Sequence, residues 1–371
     1  MTPRERLLTT MRGETADRVP IVLPGFQHPS REAVERVTEP LRRQVAERVF
    51  ERMHFDVGVG SAVNRYLVTP PQRMRHERRP LPDGEHETHG VIDTPKGELT
   101  FHTRYAPASR TTWTLKYPCE TLADIEKIAS VPWEMPPGVK PPELDDLPPA
   151  FERRGIVRTG ISSPFVCVAG MMPYETFLLL CATELELIEE LTEICRQRIL
   201  AVLEVLFSEP GIEYVWMGGS EWVTPPMGSP ALYDALVQEQ ERSIIDYVHD
   251  HSDAVVHIHC HGHVRHALAR TIERGADYTE PVEPPPDGDI TMAEAKALAA
   301  GRITLGGNIE SRVLCNEDEG ATAQAVRAAF EGGKGRFVLS PTEGPSPVLG
   351  EREFRNWMTM IDVWEELSPI P

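Results

Sequence analysis

The residues best suited to chemistry form one short run, His257-Ile258-His259-Cys260-His261. On a β-strand, positions i and i+2 face the same side. His259 and His261 can therefore offer two ring nitrogens to one cation at a strand's mouth. His257 would share that side one step deeper, packed or hydrogen-bonded. A catalytic Zn²⁺ takes about three protein ligands and keeps one position open. Glu343, in Pro341-Thr342-Glu343-Gly344, is placed to complete a His₂Glu set, with Glu221 in reserve. The other reading is that these imidazoles satisfy buried polar groups without metal. Cys260 alternates to the opposite face and reads as a core thiol.

Other polar residues recur just after apolar runs: Gly218-Gly219-Ser220-Glu221, Val282-Glu283-Pro284, and Gly307-Asn308-Ile309-Glu310. Glu221, Glu283 and Asn308 are the candidate catalytic groups. Prolines fix the backbone around Glu283 and lower the entropy cost of holding a pocket residue. Gly307-Asn308 is either a tight turn or a substrate contact. Asp289 reads as the cap of a helix starting at 290 or 291. Trp216 and Trp222 are core residues or a substrate platform.

The elements that must position these groups alternate regularly. Strands are expected at 19–23, 55–59, 156–161, 213–217, 254–259, 277–280, 303–306 and 336–340. Helices are expected at 31–52, 173–207, 230–250, 263–273, 291–300, 317–331 and 351–367, after a short opening helix that ends at Gly13. Eight strand–helix units predict a parallel (β/α)₈ TIM barrel, whose active groups stand at the C-terminal strand ends. No G-x-G-x-x-G follows the first strand to favour an open doubly wound sheet. Residues 88–105 read as an inserted β-hairpin around Thr94-Pro95-Lys96-Gly97. Residues 132–150 hold seven prolines and read as an extended connection. The 371 residues are expected to form one barrel domain with these two additions.

Composition narrows the function. With 38 basic and 57 acidic residues the net charge is −19, which opposes binding to nucleic acid or anionic membranes. No apolar run approaches the roughly 20 residues of a membrane span. Six scattered cysteines without a C-x-x-C pair suggest reduced thiols and a cytoplasmic protein; monomer and homodimer both stay open.

The chain resembles the uroporphyrinogen decarboxylase (URO-D) superfamily. The resemblance runs from TPRERLLTTMRGETADRVPIVLPG through GISSPFVCVAGMMPYETFLLL. It is strongest from HIHCHGHVRHALARTIERGADYTEPVEPPPDGDI to GRFVLSPTEGPS. It implies a (β/α)₈ barrel and two kinds of chemistry. Decarboxylases carry an R-Q-A-G-R run after the first strand, where this chain has Pro24-Gly25-Phe26-Gln27-His28-Pro29-Ser30-Arg31. Zinc methyltransferases bind metal through an H-x-C pair and a distant cysteine. Here His259-Cys260-His261 has histidine in that cysteine's place, and Glu343 stands where the distant cysteine is expected. Harder nitrogen and oxygen donors keep a divalent site chemically possible, Zn²⁺ first, and admit other ions. The resemblance thus implies a metal-dependent methyltransferase acting between a small O- or S-methyl substrate and a corrinoid carried by a separate protein. The alternatives are a metal-free decarboxylase-like lyase and a metal-dependent hydrolase.

Overall fold

A computed structural model describes residues 1–59, 73–109, 111–145 and 147–371. Seven parallel strands form the central sheet among these residues. They are β1 (Phe55–Gly58), β6 (Gly155–Ser162), β7 (Tyr214–Gly218), β8 (Val255–His259), β9 (Tyr278–Glu280), β10 (Thr304–Ile309) and β11 (Phe337–Pro341), hydrogen-bonded in that order. Four more strands, β2 (Met74–Pro80), β3 (His86–Thr94), β4 (Gly97–Ala106) and β5 (Thr111–Lys116), make a separate antiparallel sheet between β1 and β6 in sequence. The 88–105 segment belongs to β3 and β4, paired from His86↔Tyr105 to Thr94↔Gly97. The unit is therefore larger than one hairpin.

The expected first strand, 19–23, is reduced to a short pairing with β11. Leu339 N donates to Pro20 O and Val22 N to Leu339 O, both at 2.9 Å. Prolines 20 and 24 lack N–H groups, so a longer ladder cannot form there. Beyond it, Leu23 N donates to Met53 Sδ at 3.2 Å and Gln27 lies 3.1 Å from His54. The segment thus lies between β11 and β1, the two edges of the sheet, in the manner of a TIM-like barrel.

Helices between the strands cover the outside. The 31–52 helix is broken into Arg31–Glu35 and Pro40–Val49, and the 173–207 helix into Tyr174–Thr183 and Leu185–Leu206. Pro40 starts the second helix of the first pair, because its fixed φ suits a first turn and opposes an interior position. Thr291 and Glu294 form a reciprocal capping box on helix Met292–Ala299. Asp289 does not cap that helix; its Oδ1 accepts from Arg265 N at 3.0 Å, at the start of helix Arg265–Arg274. Residues 132–145 and 147–150 carry no helix or strand, and residue 146 lies outside the described residues.

One apolar core joins sheet and helices, with Val215, Val256, Ile258, Leu305 and Leu339 pointing into it from neighbouring strands. Inside the helical layer Arg274 and Glu241 form a fully buried ion pair at 2.9 Å. No helix among the described residues is long and apolar enough to cross a membrane.

Candidate active site

Strand alternation turns one set of side chains outward to the helices and the other inward. On β8, Val256 and Ile258 join the core while His257 and His259 face the lumen. On β7, Val215 and Met217 are core, while Tyr214 and Trp216 line the lumen. The inward set encloses a cavity of about 360 Å³, enough for a small ligand. Its wall includes Asp56 of β1, Arg158 of β6, His257 and His259 of β8, His261 just beyond, Tyr278 and Glu280 of β9, and Ser340 to Gly344 at the end of β11 and just after it.

Register brings the histidines to carboxylates. His259 and Glu280 are paired across β8 and β9. His259 Nδ1 lies 2.6 Å from Glu280 Oε1. The same oxygen lies 3.0 Å from His257 Nε2. That nitrogen is buried and makes no directed hydrogen bond. The other nitrogen of His257 is bonded by the Tyr214 hydroxyl. His261 repeats the arrangement one step out: its Nδ1 is 3.0 Å from Glu283 Oε1, and Glu283 also accepts from Gly262 N. The His259 and His261 rings stand 4.6 Å apart, nearly perpendicular at 82°.

Glycine makes room for this cluster. A Cβ on Gly306 of β10 would fall 2.1 Å from the Tyr278 hydroxyl and 2.7 Å from Glu280 Cβ. Only a bare backbone lets β9 present both side chains against β10.

Charge states follow from burial and partners. Burial opposes ionisation of Glu280, but its contacts with His257 and His259 outweigh that and hold its carboxyl well below the usual range. Burial pulls His257 below an ordinary imidazole, against the pull of Glu280. Burial acts likewise on His261, yet the Glu283 bond and the charges of Glu283, Glu280 and Glu221 raise it. Across the cavity, Asp56 bridges His54 at 3.2 Å and Arg158 at 2.8 Å. Burial raises its pKa, but those two partners prevail and hold it at about 2. The Arg158 guanidinium lies over the Tyr214 and Trp216 rings at 5.5 and 5.3 Å.

The residues expected from sequence take these places. His259, His261 and Glu343 all line the cavity. The group there whose ligand atoms lie within 4.8 Å of one another is His257, His259 and Glu280. Glu283 stands behind His261. Asn308 is buried on β10 beside Ser340 of β11. Glu221 folds back, its Oε2 accepting from Gly219 N at 3.0 Å; it is not among the cavity-lining residues. Cys260 is buried, and burial raises its thiol. Sequence reasoning missed Glu280, Asp56 and Arg158. The available signal was a charged residue inside an apolar strand, as in Phe55-Asp56-Val57 and Val157-Arg158-Thr159.

The uroporphyrinogen decarboxylase (URO-D) family model matches residues 150–366, the span from just before β6 to the last helix. The chain belongs to the URO-D family. Its histidine and carboxylate cluster lies within that span, while Asp56 and the antiparallel sheet lie outside it. Among solved structures, a methyltransferase from Methanosarcina mazei aligns over 99% of both chains, with a TM-score of 0.59 and 15% identity; at that identity the likeness is one of fold. A B12-independent methionine synthase from Shewanella sp. W3-18-1 aligns over 80% of this URO-D chain and 76% of its own, with a TM-score of 0.41 and 8% identity. No curated protein sequence matches the chain.

Proposed function

We propose that this URO-D family protein is a metal-dependent methyltransferase, moving a methyl group between a small O- or S-methyl substrate and a corrinoid carried by a separate protein. One observation carries the reading: His259 and His261 face one cavity, each with Nδ1 against a carboxylate. A metal-binding histidine commonly donates its other N–H to a carboxylate, which fixes the tautomer and turns the Nε2 lone pair outward. The donor set of imidazole nitrogens and carboxylate suits a divalent ion.

His259, His261 and Glu343 would hold the ion, with Glu280 and Glu283 behind the two rings and His257 at the cavity floor. A bound Zn²⁺ supplies Lewis acidity, lowering the pKa of a thiol or alcohol that binds it. The chain's own residues do the rest. Glu280 and Glu283 fix the rings, Trp216 walls the cavity beside His259 at 5.2 Å, and Asp56 holds Arg158 against both aromatic faces. Glu221, in the loop after β7, and Asn308, on β10, stand outside the cavity lining and are assigned no contact with the ion. Metal analysis and a methyl-transfer assay with a corrinoid protein test this. Transfer activity that rises with bound metal is expected; full activity in metal-free protein would refute it.

A second reading, a metal-free carboxy-lyase, is favoured by the Tyr214–His257 bond and the Glu280–His259 contact, which together make a set of proton-carrying groups. Carbon dioxide release that is insensitive to chelators would select it.

A further inference from the structure

The antiparallel sheet takes no part in the chemistry above, yet it gathers a second set of ligand side chains. Glu87 and His89 are two residues apart on β3 and project from one face. His102 on β4 is the cross-strand partner of His89, so it shares that face. The paired residues Ile92 and Leu99 lie on the opposite face and join the core.

The three ligand atoms lie within 4.8 Å of one another, and two of the spacings suit donors around one ion. Glu87 Oε2 is 3.4 Å from His89 Nε2 and 3.3 Å from His102 Nε2. Charge-assisted N–H···O bonds are shorter, about 2.7–2.9 Å. Ligand atoms around a tetrahedral ion with bonds of about 2.0–2.1 Å stand about 3.3 Å apart. His102 Nε2 is also shielded from water and makes no hydrogen bond, a state that calls for an ion or water. The nearest guanidiniums are engaged elsewhere, Arg79 with Glu77 and Arg104 with Glu85.

We propose that Glu87, His89 and His102 bind a divalent ion of the zinc class, at a site separate from the barrel. Water completes the coordination. The two rings stack with centroids 4.0 Å apart and planes 19° from parallel. Binding opens that stack, because each nitrogen's lone pair lies in its ring plane. The ion ties β3 to β4 in a sheet whose outer strands, β2 and β5, are almost wholly exposed.

Equilibrium dialysis of the full chain against Zn²⁺, with elemental analysis, counts the ions held by wild type, His102→Ala, Glu87→Gln and His259→Ala. His102→Ala and Glu87→Gln are each expected to hold one ion fewer than wild type, while His259→Ala keeps the sheet ion. Zn²⁺ should slow amide exchange in β3 and β4 of wild type and His259→Ala, and not in His102→Ala. Should His102→Ala fail to fold, Glu87→Gln, on a partly exposed side chain, gives the same count. Equal zinc stoichiometry in wild type and either sheet variant would overturn the proposal. Because the barrel site is read through His259→Ala, its failure and this one are distinguishable.

Discussion

Replacing Glu280 with glutamine removes one negative charge while keeping the side chain's shape. In the wild type, Glu280 Oε1 is 2.6 Å from His259 Nδ1 and 3.0 Å from His257 Nε2. An amide oxygen can still accept from His259, but it polarises the ring less. Loss of such a carboxylate behind a ligating histidine weakens metal binding by roughly 10–100-fold, or about 1.4–2.8 kcal/mol. Were Glu280 itself a ligand, the loss would run well beyond that range. Competition against a chromophoric chelator measures the zinc Kd of both proteins, with amide exchange reporting that the barrel stays folded. A Kd unchanged in Glu280→Gln would refute the claim that this carboxylate orders a metal-binding ring.

Two further outcomes follow from the same geometry. Gly306→Ala drives a methyl group into Tyr278 and Glu280, and such overpacking costs on the order of 1–3 kcal/mol; a denaturation midpoint equal to wild type would contradict it. Asp56 has its folded pKa depressed from 3.8 to about 2. Its contribution, on the order of 2 kcal/mol, is present above pH about 4 and is lost as pH falls toward about 2. The stability gap between wild type and Asp56→Asn should therefore shrink over that window in denaturant titrations; a gap independent of pH would count against the Arg158 and His54 pairing.

Much of the sheet was legible because each strand couples an apolar outward set to a polar end. Val255-Val256-His257-Ile258-His259 announces both strand and site. The first strand faded because Pro20 and Pro24 cannot donate to a ladder. Of the antiparallel sheet, only the central pair could be read. Met74-Arg75-His76-Glu77-Arg78-Arg79-Pro80 has no apolar alternation, and β5 is exposed along nearly its whole length. Glu280 escaped notice for a different reason. Its strand is three residues long, and its role comes from the parallel register that sets it beside His259. Register between strands is a tertiary property, so the carboxylate behind each ring had to await the fold.

Anomalous scattering at the zinc edge, from crystals of active protein purified without added metal, tests the central claim most directly. A peak inside the barrel, within bonding distance of His259 and His261, is expected. Active crystals with no peak between those rings would contradict it.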